Sequence, residues 1–569
     1  MRPDLVIRGG FVVDGSGRPG FEADVAVADG RIVGVGRYDQ LPAAEVIDAR
    51  GKLVTPGFID IHTHLDAQIT WDALGSPSCY HGVTSVVMGN CGVGFAPCRA
   101  ADRDYLMFLM EGVEDVPRAA MAAGIPWAWE SFGEYYRYLD SIPLGLNVGA
   151  HVGHCALRIH AMGERGATEE RAGPDDLAAM QTALREAMAA GALGVSTSRT
   201  TGHKTPAGDA VPGTFADPTE LHALAAVLAE CNAGVFELAP FGAVGEAAGG
   251  TLGELGWMED VARASRRPVM FGLVQNQNQP DGWRDVLAGV EAARARGADV
   301  IPQVSVRGVG ILLCTETLSP LLVFPAAGDY LHLSKAELLD ALRTPDVRRA
   351  LCASLDGADG KILAGYARVD TVFEWRDEGE LSYETKRPNS IAAEAERTGR
   401  PFGEVLIDRM LARRLDGFFY IPIFNQDLGA VQSMLTNPAA VIGLGDSGAH
   451  TGQICDASVP TFTLAYWVRR RKVLGLENAV KRLTFDPALL YGIRGRGLVR
   501  RGWSADLNVI DLDRLGVREP EVRHDFPTGA RHLSQRAHGY AATIVNGRVV
   551  MRDGVHTGAL PGRVLRNEA

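Results

Sequence analysis

The residues best suited to chemistry stand at His62-Thr63-His64-Leu65-Asp66, at the end of the apolar run Phe58-Ile59-Asp60-Ile61. Side chains alternate along an extended strand, so residues 62 and 64 point to the same side. Two imidazoles presented together supply two of the nitrogen ligands that a zinc ion takes. Two histidines hydrogen-bonded in a loop are the plainer reading. Asp446 ends a second apolar run, AVIGLGD from Ala440. A carboxylate there can bind a cation and exchange a proton with water, or can simply cap the next helix. Cys91 follows a third run, in Gly89-Asn90-Cys91-Gly92. A thiolate between glycine-flanked turns can approach a cation closely, which would depress its pKa. A buried inert thiol is the alternative.

These runs belong to a longer series. Short apolar segments recur at 58–64, 83–89, 146–152, 192–198, 234–239, 268–274, 299–306 and 440–446, with helical patterns between several of them. Pro174-Asp175-Asp176 opens one helix whose apolar face is Leu177, Met180, Leu184 and Met188, closed by Gly191; Asp217-Pro218-Thr219-Glu220 has capping-box spacing before another. Eight strands alternating with helices predict an α/β fold, a (β/α)8 TIM-like barrel, with a doubly wound open sheet as the alternative. Barrels place active sites at the carboxyl ends of their strands, where His62, His64, Cys91 and Asp446 all fall. Residues 1–55 instead alternate apolar and polar positions between glycine-rich turns, and the pattern returns in ADLNVIDLD and in ATIVNGRVVMRDG, with Asn546-Gly547 as a hairpin turn. The two ends are expected to form one small β-sandwich domain, residues 1–55 and 497–569. Residues 56–496 form the barrel, with a polar insertion around 365–403.

The strand Pro56–His64 (PGFIDIHTH), Asp446 and the stretch from Thr484 (TFDPALLYGIRGRGLVRRGWSADLNVID) resemble the amidohydrolase superfamily. Gly89-Asn90-Cys91-Gly92 and Val152-Gly153-His154 are most similar to the N-acyl-D-amino-acid deacylases. The resemblance implies hydrolysis of a C–N amide bond of a small molecule, one or two zinc ions, and Cys91 as a metal ligand. It also implies departures. Deacylases of this group carry a metal-binding histidine at the end of the fifth strand and another at the end of the sixth. Here those positions read Phe236-Glu237-Leu238 and Val274-Gln275-Asn276, and the spacing of the arginine that holds a substrate carboxylate falls on Ala457. Glu237 can replace an imidazole with a carboxylate, whereas Gln275 suits a hydrogen bond to water or substrate. The expected metal set is therefore His62, His64, Cys91, Asp446 and Glu237, with Asp446 as general base and acid. His151, His203, Arg307 and Gln275 are expected to face substrate, while His154 and His450 read as structural. Hydrolysis of a cyclic amide, imide or lactone is a second reading. A metal-free scaffold on the same fold is a third.

Composition narrows the field further. The 569 residues carry a net charge of −12, with 46% hydrophobic and 22% charged residues. That balance argues against nucleic acid or anionic membranes as partners and against disorder. No apolar run approaches the ~18 residues of a membrane span. Asp4–Gly15 (DLVIRGGFVVDG) lacks the features of a signal peptide, so a cytoplasmic location is expected, with most of the eight cysteines as buried thiols. The sequence carries no P-loop, dinucleotide fingerprint or Gly-x-Ser-x-Gly elbow. The expected partner is a small-molecule substrate, with a homo-oligomer left open.

Overall fold

The computed structural model describes residues 2–38, 42–356, 360–362, 367–375 and 383–567. Phe58–Asp60, Val83–Met88 and Asn147–Ala150 form one parallel sheet. After His151 the chain continues as Val152–Gly153, the first member of a second parallel sheet completed in order by Gly194–Ser198, Val235–Ala239, Val269–Leu273, Val300–Val304 and Val441–Ile442. Almost every residue of these strands is buried, as parallel strands covered on both faces require. The segments that follow the first and last of these strands also meet. Thr63 bridges Ser447 in parallel, the His64 N–H donates to the Ser447 carbonyl at 2.7 Å, and the Asp446 N–H donates to the His62 carbonyl at 3.0 Å.

Helices connect the strands where the sequence supplies their signals. Pro174–Ala190 starts on proline and ends at Gly191, whose φ of 104° only glycine adopts freely. Pro218–Cys231 is capped by Asp217, whose carboxylate accepts the Thr219 N–H at 2.9 Å. Glu220 does not complete the capping box that its spacing suggests. It turns inward, accepts from Arg158 Nη1 at 2.6 Å and meets His154 Nε2 at 2.7 Å. All three side chains are buried, and a buried guanidinium takes the carboxylate in preference to the backbone N–H of half-buried Asp217.

Strands from both chain ends share one nine-stranded sheet, joined where Leu53–Pro56 runs antiparallel to Leu507–Ile510. The Asn546-Gly547 turn has φ of 44° and 79°, the paired positive angles of a tight hairpin. A separate hairpin, Gly516–Phe526 with Ala530–His538, reaches back toward the parallel strands, where the Leu533 N–H donates to the Thr451 carbonyl at 2.6 Å. Between the seventh and eighth parallel strands, Val309–Leu313, Phe419–Phe424 and Phe373–Glu374 make a small antiparallel sheet over its own apolar core. Part of the expected 365–403 insertion, residues 365–366 and 376–382, lies outside the described residues; the described part includes the helix Ile391–Thr398. Among the described residues no helix is long and apolar enough to cross a membrane.

Replacing Glu220 with alanine would leave Arg158 buried and uncompensated. The expected loss is about 3–5 kcal/mol of unfolding free energy, read by urea denaturation; a loss under ~1 kcal/mol would show that this cluster does not hold the helix to the strands.

Candidate metal centre

His62 and His64 follow the first parallel strand and are 2% and 3% exposed. His62 Nδ1 lies 3.0 Å from Gln303 Oε1. That oxygen also accepts the Leu444 N–H at 3.2 Å, so it acts as an acceptor and Nδ1 carries the imidazole proton. The lone pair then resides on Nε2, which is 3.4 Å from Cys91 Sγ and 3.2 Å from Asp446 Oδ1. His64 Nε2 lies 3.8 Å from the same Asp446 oxygen. One ligating atom each from His62, His64 and Cys91 fall within 4.8 Å of one another. Ligands held about 2.0–2.3 Å from a tetrahedral zinc ion sit roughly 3.3–3.8 Å apart, so this donor set fits such an ion.

The turns that deliver Cys91 and Asp446 are strained. Both residues have positive φ, 54° and 45°, a region that costs a non-glycine residue about 1–2 kcal/mol. Such strain concentrates at functional sites. The Cys91 turn is pinned by Glu237, whose Oε2 accepts the Cys91 N–H at 2.8 Å, and by Ser196, whose hydroxyl accepts the Gly92 N–H at 3.0 Å. Gly92 is required there, because its φ is +79° and a Cβ would stand 2.8 Å from the Ser198 backbone nitrogen.

Electrostatically the cluster is poised for a cation. Burial pushes the Cys91 thiol well above its ordinary pKa, and the carboxylates of Glu237, Glu114 and Asp446 push it further. Burial raises the Glu237 carboxyl to about 8, against the pull of the Cys91 N–H, and its Oε1 has no hydrogen-bond partner. Burial lowers His62 to about 4, with Asp446 opposing. For His64 burial also lowers the pKa, but Glu114 and Asp446 outweigh it and hold the ring near 9. Asp446 is raised by burial but held near 2 by His62 and His64. A divalent ion reverses the balance that disfavours the thiolate and the Glu237 carboxylate.

Two neighbours carry signals that sequence reasoning passed over. Gln303 is a polar residue inside the apolar seventh strand, a detectable irregularity. Glu114 ends the helix Arg103–Glu114, where an acid reads as an ordinary solvated residue. In the fold it is 1% exposed, with Oε1 3.1 Å from His64 Nδ1 and Oε2 3.9 Å from His450 Nε2. The adjoining Asp115 accepts the Gly452 N–H at 3.1 Å and so ties this helix to the loop after Asp446.

The remaining expected site residues sit differently. His151, at the break between Asn147–Ala150 and Val152–Gly153, has Nε2 3.0 Å from the Tyr491 hydroxyl, and burial lowers it to about 3. His203 Nδ1 is 2.9 Å from Ser198 Oγ, and burial with the charges of His450 and His64 lowers it to about 3. Arg307 lies 3.6 Å over the Tyr383 ring, pairs with Asp456 at 2.7 Å and donates to the Cys455 and Gly308 carbonyls. Gln275, just after the sixth strand, bonds to Asn276 and to Asn425 and Asp427 in the turn that follows Phe419–Phe424. The fold thus gathers His62, His64, Cys91 and Asp446, with Glu237 behind them, while Arg307 and Gln275 bond to protein groups.

A family model described as "Amidohydrolase family" matches residues 45–551, and the chain belongs to that family. It is 28% identical to an N-acyl-D-aspartate deacylase of Alcaligenes xylosoxydans xylosoxydans, over 99% of this chain and 95% of that one. It is 27% identical to a D-aminoacylase of the same organism, over 100% and 98% of the two chains. Among solved structures, an N-acyl-D-glutamate deacylase of Bordetella bronchiseptica, complexed with zinc and a phosphonate mimic of the tetrahedral intermediate, is 26% identical with a TM-score of 0.66, covering all of both chains. The fold is also that of a D-aminoacylase with a binuclear metal centre, at 24% identity and a TM-score of 0.66, over 99% of this chain and 100% of that one.

Above pH 6.5 the folded, metal-free chain holds a proton on Glu237, ordinarily 4.5, up to about 8 and on His64, ordinarily 6.5, up to about 9. The unfolded chain releases both, and a state that binds more protons loses stability as pH rises. The Tm of metal-free protein is therefore expected to fall from pH 6.5 to pH 9. A Tm that rises across this window would contradict the assignment.

Proposed function

We propose that this protein is a zinc-dependent amidohydrolase that cleaves the amide C–N bond of a small N-acylated compound, in the manner of its deacylase relatives. The observation that carries the reading is the approach of Cys91 Sγ and Asp446 Oδ1 to His62 Nε2, at 3.4 and 3.2 Å, with His64 beside them. The 26% identical zinc-containing deacylase supports it. The eight parallel strands are read as a closed (β/α)8 barrel, supported by the Thr63–Ser447 bridge. Residues 1–55 and 497–569 are read as a β-sandwich made by both chain ends, flanking a barrel of residues 56–496. Eight free cysteines support a reducing, cytoplasmic setting.

His62, His64, Cys91 and Asp446 would hold the metal, with Glu237 as a further donor for one or two ions. Bound zinc supplies Lewis-acid polarisation and a water whose pKa is drawn from 15.7 toward ~7. The chain's own groups do the rest. Gln303 fixes the His62 tautomer so that Nε2 is the ligating atom. Glu237 holds the Cys91 turn through its backbone N–H. Asp446, ionised across the physiological range, takes the proton of the attacking water on a carboxylate oxygen. It then returns that proton to the departing nitrogen as the C–N bond breaks. His151 and His203, both neutral, flank the site as candidate substrate contacts, with Arg307 and Gln275 acting from behind. A cyclic amide, imide or lactone is the second reading, favoured by Ala457 at the spacing of the carboxylate-holding arginine.

Asp446→Asn removes the proton acceptor and keeps the shape. It is expected to lower kcat by about 10²–10⁴ while Tm stays close to wild type. Wild-type turnover on an N-acyl amino-acid panel would remove Asp446 from the mechanism.

A further inference from the structure

The two imidazoles of the centre are backed by unlike groups. His62 Nδ1 meets the neutral carboxamide of Gln303 at 3.0 Å, whereas His64 Nδ1 stands 3.1 Å from Oε1 of the Glu114 carboxylate. Both side chains of the second pair are buried, and among the described residues neither His64 Nδ1 nor Glu114 Oε1 has a hydrogen-bond partner elsewhere. A carboxylate oxygen accepts and cannot donate. As a neutral ligand the His64 ring therefore keeps its proton on Nδ1 and turns the lone pair of Nε2 toward Asp446, whose Oδ1 lies 3.8 Å away.

Glu114 is placed by contacts that do not use its carboxylate. Its backbone carbonyl accepts the Thr451 N–H at 3.3 Å, and the Asp115 carbonyl accepts the Thr451 hydroxyl at 2.6 Å. The Asp115 carboxylate accepts from the Gly452 N–H at 3.1 Å and from Gln453 Nε2 at 3.2 Å. These bonds hold the end of the helix Arg103–Glu114 against the loop after Asp446. The other Glu114 oxygen, 3.9 Å from Nε2 of half-buried His450, is too far for a hydrogen bond. The carboxylate thus anchors neither the helix nor the loop, and its close neighbour is the imidazole.

We propose that Glu114 is a positioning residue of the metal centre: it fixes His64 with Nε2 toward the cation and, through its negative charge, makes that ring a stronger donor than His62, which leans on a neutral amide. The inference rests on the zinc amidohydrolase reading above and adds a residue that acts through the ring without touching substrate.

The test reads zinc affinity rather than turnover, on full-length protein. Glu114→Ala is expected to raise the zinc dissociation constant by about 10- to 100-fold in competition with a chelator. Glu114→Gln, which keeps an acceptor and loses the charge, should fall between that variant and wild type, both variants still unfolding cooperatively without metal. Neither leaves a buried cation alone, because Asp446 still faces His64. An unchanged zinc constant in either folded variant overturns the proposal. Should neither variant fold, zinc-loaded wild type decides: nitrogen-15 NMR of its histidines should show His64 protonated at Nδ1, and a proton at Nε2 overturns the proposal. Wild type that binds zinc but hydrolyses no N-acyl compound defeats the amidohydrolase reading and leaves the affinity comparison to judge Glu114, whereas wild type that binds no zinc overturns both.

Discussion

The centre depends on one backbone contact, between residues 62–64 after the first parallel strand and residues 446–447 after the last. Two short hydrogen bonds hold it, His64 N–H to the Ser447 carbonyl and Asp446 N–H to the His62 carbonyl. They fix the position of the Asp446 carboxylate relative to both imidazoles, because each bond ties the backbone of one segment directly to that of the other. Asp446 reaches this contact only by adopting positive φ, so the ladder bears the cost of the turn. Catalytic groups set on rigid elements in this way keep the geometry their chemistry needs.

The same contact concentrates opposed charge in a buried space. Glu237, Glu114, Asp446 and a thiol surround two buried imidazoles, and burial alone would keep Glu237 and Cys91 protonated. The arrangement makes sense as half of an interaction whose other half is a cation. Polar neighbours divide the supporting work. Gln303 sets which His62 nitrogen is free, Glu237 clamps the cysteine turn, and Glu114 stands between His64 and His450. Glu237 thus has a positioning role through one oxygen, with its other oxygen unpartnered.

The periphery contributes more to the site than its distance along the chain suggests. The hairpin 516–538 is tied to the loop after Asp446 by the Leu533 N–H and the Thr451 carbonyl, and the helix ending at Glu114 is tied to the same loop by Asp115. Asp456 of that same loop forms a buried, oppositely charged pair with Arg307. The surroundings of residues 62–64 and 446–447 are therefore built largely from elements outside the parallel strands.

Much was legible in the sequence because it is local. The period-two spacing of His62 and His64, the apolar runs of the strands, the proline and glycine that bound the helix 174–190, and the Asn546-Gly547 turn each express a short-range rule of backbone and side-chain geometry. Other features could not be read that way. Glu220 has capping-box spacing but pairs with Arg158 and His154, because a buried cation outcompetes a backbone donor. Glu114 carries no local sign of its place, and Arg307 and Gln275 read as substrate contacts, whereas the fold gives each a partner far away in sequence. Residue type and spacing determined which chemistry was available. Which groups share one buried space, and which are consumed by one another, was decided only by tertiary structure, because burial and charge pairing depend on neighbours that no local pattern records.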